Sequence, residues 1–453
     1  MKKKVFILLL LLISFLNLWA QDNVLYFINE SDEALYSRTH IIENAKEEIL
    51  ISYYIYAGDE SGIFFLSLLQ QKKLENPDIK IKLLIDANGS KIDRKYLYYC
   101  EQQGIEIKEF HPLPKLIVPL KNMSVKNFIA GIKNFNMRMH DKFIIVDGEK
   151  FISGGRNIEN SYFGLDNRNF NDRDMYFQSK SLTDDVRKYY IKLWNSKYVK
   201  NITYFKKQNS SKSYKDSEKV FDKYKNLILT QRDNYKELYK DFGPETKGTS
   251  FSKAIFLSSY DGKNDVMNPV LLSTSLFNLM HKSDSSVLIE TPYLLPTKPL
   301  YRLLENLEKR GTEVVCVTNS NCSTDVMPIS AAYDNQKKKL LKLGVEIYES
   351  IGPDYLHFKS VVLDDKIALA GSYNFDPRSE MINTELVFLI FDEKLAIKMK
   401  ELIVNDMNTS VKVNVTTIDS HSGYYSCHRT GKDMMIYTLS RFLTRFSLFY
   451  NQF

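Results

Sequence analysis

His140-Asp141-Lys142-Phe143-Ile144-Ile145-Val146-Asp147 and His357-Phe358-Lys359-Ser360-Val361-Val362-Leu363-Asp364 share the pattern H-x-K-x4-D. In a chain of this composition one such match arises by chance roughly 0.04 times, so two are improbable. The agreement continues downstream. Gly154-Gly155-Arg156-Asn157 follows the first motif and Gly371-Ser372-Tyr373-Asn374 the second, each Asn lying 17 residues after its His. Asp172-Arg173-Asp174-Met175 and Asn383-Thr384-Glu385-Leu386 come next. Two coincident strands do not explain shared polar residues at shared spacing.

Outward from the motifs, the chain alternates strand-like and helix-like runs, which predicts an α/β fold. In the first half, strands are expected at Glu48–Tyr54, Ile79–Ile85 and Ile105–Phe110, with a helix near Ile63–Lys73. In the second, strands are expected at Ser286–Thr291, Glu313–Thr318 and Val345–Glu349, with helices at Lys298–Lys309 and near Ala331–Leu343. Gly104-Ile105-Glu106-Ile107 recurs 240 positions on as Gly344-Val345-Glu346-Ile347, whereas the histidines are 217 apart. The pattern is that of an internal duplication, with 23 extra residues in the first half between about His111 and Met139. That insert mixes apolar residues with lysines. It is read either as a lipid entrance or as a surface excursion packed on its own domain.

The residue types fit phosphoryl chemistry. On a strand, alternate side chains share a face, so each His projects with its Lys. One half supplies one imidazole and one ammonium; two halves together supply two of each around one phosphate. Lys142, Lys359, Asn157 and Asn374 are expected to hold phosphate oxygens. One neutral imidazole attacks phosphorus while the other, protonated, supplies the leaving alcohol with a proton. A nucleophilic His needs an acceptor on its other nitrogen, for which Asp174 and Glu385 are the candidates. Asp147 and Asp364 complete the motifs, and are read as structural partners rather than proton carriers. The glycines suggest a turn where backbone approaches a ligand. No cluster has metal-ligand spacing, and neither metal nor cofactor is expected.

The rest of the chain sets the context. At 453 residues, 44% hydrophobic and 26% charged, it suits two folded domains. A net charge of +7 favours anionic partners such as phospholipid headgroups or nucleic acid. Residues 1–20 read as a signal peptide or N-terminal anchor: Lys2, Lys3 and Lys4 precede an apolar run ending at Trp19 and Ala20. The mature protein is therefore expected to be exported and free or membrane-associated. Cys100, Cys316, Cys322 and Cys427 form no zinc pattern and are read as buried or incidental, with one bridge as the alternative. The expected domains are 21–205 and 251–410, joined by a charged linker at 206–250 and followed by a tail at 411–453. In that tail Ile436, Leu439, Leu443, Phe446 and Tyr450 fall at helical spacing. This predicts either an interfacial amphipathic helix or a helix docked on the core.

These motifs resemble the phospholipase D superfamily, whose members carry paired H-x-K-x4-D motifs. The resemblance implies two similar α/β/α sandwich domains sharing one active site, and metal-free catalysis through a phosphohistidine. It implies a carboxylate 28 residues after the catalytic His, the spacing of Glu385 from His357. The corresponding gap to Asp174 is 34, so that assignment rests on its sequence context. Gly154–Ile158, Tyr162-Phe163-Gly164, Thr318-Asn319-Ser320, Thr324-Asp325-Val326 and the run Gly371–Ser379 are similar to the bacterial cardiolipin synthase C branch. That likeness implies transfer of a phosphatidyl group between phospholipids, with His140 as nucleophile and His357 as acid and base. The alternatives are an exported phospholipase D using water, an exported nuclease, and a non-catalytic phosphate-binding scaffold, which the complete set of His, Lys and Asn disfavours. Phospholipids and the membrane surface are the expected partners, with no obligatory protein partner and nucleic acid only under the nuclease reading.

Overall fold

The structure is a computed structural model, and it describes residues 23–110, 136–202, 211–238, 244–262, 265–414 and 431–450. The predicted leader at 1–20 and the insert up to residue 135 lie outside the described residues.

The first half runs β1 (Val24–Ile28), α1 (Ser31–Glu43), β2 (Glu48–Tyr53), α2 (Glu60–Glu75), β3 (Lys80–Asp86), α3 (Arg94–Gln102) and β4 (Glu106–Phe110). It continues with β5 (Lys142–Val146), β6 (Lys150–Gly154), β7 (Phe170–Asn171), β8 (Asp174–Gln178), α4 (Lys180–Trp194) and β9 (Val199–Asn201). Helix α5 (Ser211–Leu238) and β10 (Thr249–Ser250) lead to the second half. That half runs β11 (Ala254–Ser258), α6 (Pro269–Met280), β12 (Ser286–Glu290), α7 (Lys298–Lys309), β13 (Glu313–Asn319), α8 (Met327–Lys342) and β14 (Glu346–Ser350). It ends with β15 (Tyr355–Leu356), β16 (Ser360–Leu363), β17 (Ile367–Gly371), α9 (Pro377–Met381), β18 (Leu386–Phe391), α10 (Glu393–Asn408), β19 (Ser410–Val413) and α11 (Gly431–Leu443).

The sheets carry the duplication. The first has strand order β10-β1-β8-β6-β5-β2-β3-β4-β9 and the second β11-β18-β17-β16-β12-β13-β14-β19. Strand for strand these are one topology, with β10 added where the segment between the halves pairs with β1. In both, the parallel pairs are the three strands joined by helices, β2-β3-β4 and β12-β13-β14, since parallel neighbours need a crossover.

Alternation along the strands then builds three layers of core. Ile144 and Val146 of β5 face the first half's own helices, while Phe143 and Ile145 face the other half. Likewise Val361 and Leu363 of β16 point to the second half's helices, and Val362 points to the shared core. The two sheets meet face to face through aromatic residues, with Phe388 5.3 Å from Phe151 and 5.2 Å from Phe177 between ring centroids. Within the charged stretch at 206–250, Ser211–Leu238 form helix α5, which lies against the first half. Phe221 is buried, and its ring and that of Tyr214 each lie 4.9 Å from Tyr99.

Candidate active site

Each histidine stands just before the strand that follows it, β5 for His140 and β16 for His357. There it is pinned by the opposite half. The His140 backbone N–H donates to Thr384, to its carbonyl at 3.3 Å and its hydroxyl at 3.1 Å. The His357 N–H donates to the Asn171 carbonyl at 2.8 Å, where β15 pairs with β7. Both imidazoles line one cleft of about 680 Å³ with Asn157, Asn374, Tyr54, Tyr162, Asp325 and Arg378.

The orienting carboxylates are exchanged between the halves. His140 Nδ1 lies 3.0 Å from Glu385 Oε2, and His357 Nδ1 lies 2.6 Å from Asp172 Oδ2. Glu385 therefore serves the histidine 245 positions before it rather than the one 28 positions before. The expectation for Asp174 is corrected: its carboxylate binds Arg38 at 2.9 Å and Arg156 at 3.2 Å in a fully buried cluster. The sheet register explains the displacement. Asp174 pairs across from Gly154, and Val387 pairs across from Gly371, the equivalent glycine. Counting back two residues from each makes Asp172 the counterpart of Glu385.

The glycines make room for carboxylates rather than for a ligand. A Cβ on Gly155 would collide with the Asp172 carboxylate, and one on Gly154 with that of Asp174. In the second half the position after the glycine is Ser372, whose hydroxyl donates to Glu385 Oε2 at 2.5 Å while Ser379 donates to Oε1 at 2.7 Å. Asp147 and Asp364 stand at the far ends of their strands, away from the histidines. Each has a left-handed backbone, with φ of 52°. Asp147 accepts from the backbone N–H groups of Lys46, Glu47 and Glu48, and Asp364 from those of Asp284, Ser285 and Ser286. The last residue of each motif thus caps the turn entering the neighbouring strand and takes no part in the cleft.

The lysines hold their positions through backbone: Lys142 Nζ donates to the His140 carbonyl at 2.7 Å, and Lys359 Nζ contacts the His357 carbonyl. Asn157 is committed locally, accepting from Ile55 N and donating to Tyr162 OH. Asn374 Oδ1 is buried with no hydrogen-bond partner. Sequence reasoning also missed the frame behind His140, where the Thr384 hydroxyl donates to Asp141 Oδ1 at 2.8 Å and Tyr189 OH to Oδ2 at 2.5 Å. Asp141 carried a signal, being a carboxylate inside the motif.

The two imidazoles sit in unlike fields. Burial, then Lys142, Lys359 and Arg378, hold His140 well below the usual imidazole value. Burial and Lys359 lower His357 to about 4, against the upward pull of Asp172 and Asp325. Burial raises Glu385 to about 7. Burial would raise Asp172 as well, but Lys359 and His357 hold it at about 2. Both imidazoles are thus held toward the neutral form, and of the two His357 has the firmly ionised partner that stabilises it as imidazolium once a substrate anion adds its charge. Burial likewise lowers the Lys142 ammonium to about 7. An anion in the cleft opposes each of these depressions.

A paired-histidine cleft between duplicated sheets defines a class, and comparison with known proteins identifies it. The family model described as "Cardiolipin synthase, PLD-like domain" matches residues 39–194 and 276–407. The chain belongs to that family and is an enzyme of the phospholipase D superfamily. It is similar to cardiolipin synthase C of Escherichia coli strain K12, with 28% identity across 82% of each chain. It is also similar to a cardiolipin synthase of Clostridium perfringens strain SM101, with 24% identity over 88% of this chain and 73% of that one. Among solved structures, phosphatidylserine synthase of Haemophilus influenzae Rd KW20 shares the fold, with a TM-score of 0.63, 16% identity and 94% of each chain covered.

Proposed function

We propose that the protein is a phosphatidyltransferase of the cardiolipin synthase type, moving a phosphatidyl group between phospholipids through a phosphohistidine. The crosswise pairing of the histidines with Asp172 and Glu385 carries this reading. With Nδ1 engaged, each ring offers Nε2 to the cleft. Neutral His140 attacks phosphorus, forming an N–P bond as the bond to the donor's headgroup oxygen breaks. Imidazolium His357 protonates that oxygen, and the headgroup alcohol departs. His357, now neutral, takes the proton of an acceptor hydroxyl whose oxygen displaces His140 from phosphorus. Charge on the phosphoryl oxygens is met by Lys142 and Lys359. The rings of Tyr54 beside His140, and of Tyr162 and Phe170 beside His357, centroids 5.2–5.4 Å away, keep apolar surface around the reacting atoms. That favours an alcohol over water at the phosphohistidine.

The reading includes an exported protein acting at a phospholipid surface. Cys322 is disulfide-bonded, whereas Cys100 and Cys316 are free and buried. A disulfide suits an oxidising compartment, as does the basic and apolar stretch at 1–20.

The test is expression of the protein and of His140→Ala in bacteria devoid of cardiolipin, with lipids profiled by mass spectrometry. New cardiolipin that depends on His140 is the expected result. A rise in phosphatidic acid with free headgroup would replace the transferase by a hydrolase. Unchanged lipids together with plasmid nicking in vitro would point to a nuclease.

A further inference from the structure

Helix α11 reverses the usual arrangement of a docked terminal helix. It lies on α8, but polar groups make much of the join. Tyr437 OH donates to Asp334, and Asn335 Nδ2 donates to the Arg441 carbonyl at 2.8 Å and to the Thr444 hydroxyl at 3.1 Å. The short helix Ser447–Tyr450 follows, and Tyr450 OH donates to the Pro296 carbonyl at 3.0 Å. On the other side Met435, Leu439, Phe442, Phe446 and Phe449 are all exposed, from 43% to 65%. Within α11 this spacing makes a stripe of Met435, Leu439 and Phe442, which Phe446 extends past the helix end, its ring centroid 5.7 Å from that of Phe442. The apolar pattern of the tail thus divides: Ile436, Leu443 and Tyr450 are half-buried, and Leu439 and Phe446 face out.

Two further observations say what covers the stripe. The first is position. Ile329 in the first turn of α8, and Val326 just before it, line the catalytic cleft, as does Tyr293, three residues from Pro296. The tail is fastened to the two segments that form this wall. On the rim, Leu165 and Ile351 are each 47% exposed, in loops that join across the halves where Asn169 N donates to Asp354 Oδ1 at 2.9 Å. The second is charge. Lys432, about one turn before Met435, and Arg445, next to Phe446, are exposed on the tail itself. An apolar stripe with cations beside it, tied to the wall of a cleft, is complementary to an anionic lipid surface.

We infer that α11 and the turn after it form an interfacial anchor, whose stripe Met435–Phe446 inserts into an anionic phospholipid surface and holds the cleft against it. This rests on the phospholipid reading of the cleft and extends it from the substrate's phosphate to the surface that delivers it.

The test uses the full chain with Phe446→Trp and vesicles of phosphatidylglycerol and phosphatidylcholine, with or without dibrominated acyl chains. The fluorescence added over the parent protein should shift to the blue on vesicles and be quenched by the brominated lipid. The double variant Phe442→Glu/Phe446→Glu should turn over vesicle phosphatidylglycerol at least about tenfold more slowly. It should match the parent on a short-chain phosphatidylglycerol dissolved as monomers. An added tryptophan that stays unquenched on vesicles the enzyme is turning over, or equal vesicle rates for parent and variant, would overturn the anchor. So would sedimentation showing a dimer that the double variant dissolves, since a second copy would then cover the stripe. A parent protein inactive even on monomeric lipid would instead sink the phosphatidyltransferase reading.

Discussion

His357 Nδ1 lies 2.6 Å from Asp172 Oδ2, so the histidine of one half is held by a carboxylate of the other. Two residues further along, Asp174 does a different job, neutralising Arg38 and Arg156. Asp172→Asn should leave the fold intact and cut kcat by about 10²–10⁴, because the imidazole loses the partner that fixes its tautomer and stabilises its charge. Steady-state kinetics with a circular dichroism melt checks both halves of this statement. Unchanged kcat would remove Asp172 from the machinery.

Asp174→Asn should behave in the opposite sense. It leaves two buried guanidiniums without their anion and should cost about 3–5 kcal/mol of stability. Whatever enzyme stays folded should retain most of its kcat. Denaturant titration separates this from the Asp172 outcome.

The motif aspartates should prove structural. Asp147→Ala deprives three backbone N–H groups of their acceptor and should cost about 1–2 kcal/mol with little change in kcat. Asp364 adds a pH signature. Partial burial pushes its carboxyl up, but the N–H groups of Ser286, Ser285 and Asp284 outweigh this and hold it below the ordinary value of 3.8. A depressed folded value means a contribution present above the unfolded value and lost as the pH falls through the folded one. Asp364→Asn should therefore lower the melting temperature at pH 6, and the difference from the parent should close as the pH falls through the depressed folded value.

Anion binding should take up protons. Lys142 is held at about 7 by burial, so at pH 7.5 much of it is neutral. A phosphate in the cleft favours the ammonium and pulls a proton from solution. Calorimetry of inorganic phosphate binding, repeated in buffers of different ionisation enthalpy, should show net uptake at pH 7.5. Lys142→Met should diminish it. Proton release by the parent would contradict the reading of this lysine.

The roles of the two histidines can be separated by leaving group. His357→Ala should retain attack on a phosphatidyl ester of an activated phenol, which departs without a proton, and should accumulate label on the peptide containing His140. Label on another peptide, or none with either enzyme, would overturn the assignment of nucleophile and acid.

Much of this architecture was legible in the chain. Helix α7 begins and ends at the predicted residues, Lys298 and Lys309, and the six strands predicted around the motifs form within about one residue of their expected ends. Long apolar runs between turn signals leave little freedom there. The site was legible in its residue types but not in its pairings. Asp172 and Asp174 are two apart at the entry to β8, where sequence alternation would give them one face, so local pattern does not choose between them. The choice comes from sheet register against Gly154 and from the opposing half, which local sequence does not encode. The exchange of Glu385 to His140 is likewise a tertiary event, invisible to a count of 28 residues. Asp147 and Asp364, read from the sequence as structural partners, each serve a turn entering the neighbouring strand; which backbone they hold was not legible.

The exchange of carboxylates has a consequence for how such a chain can change over generations. A duplicated gene ordinarily lets one copy drift while the other keeps the activity. Here neither copy owns a whole histidine pair: a substitution at Asp172 disables the histidine of the second copy, and one at Glu385 that of the first. Compensation for a change in either copy must therefore arise in the other. The two repeats are bound to a shared fate, even where their sequences have otherwise parted.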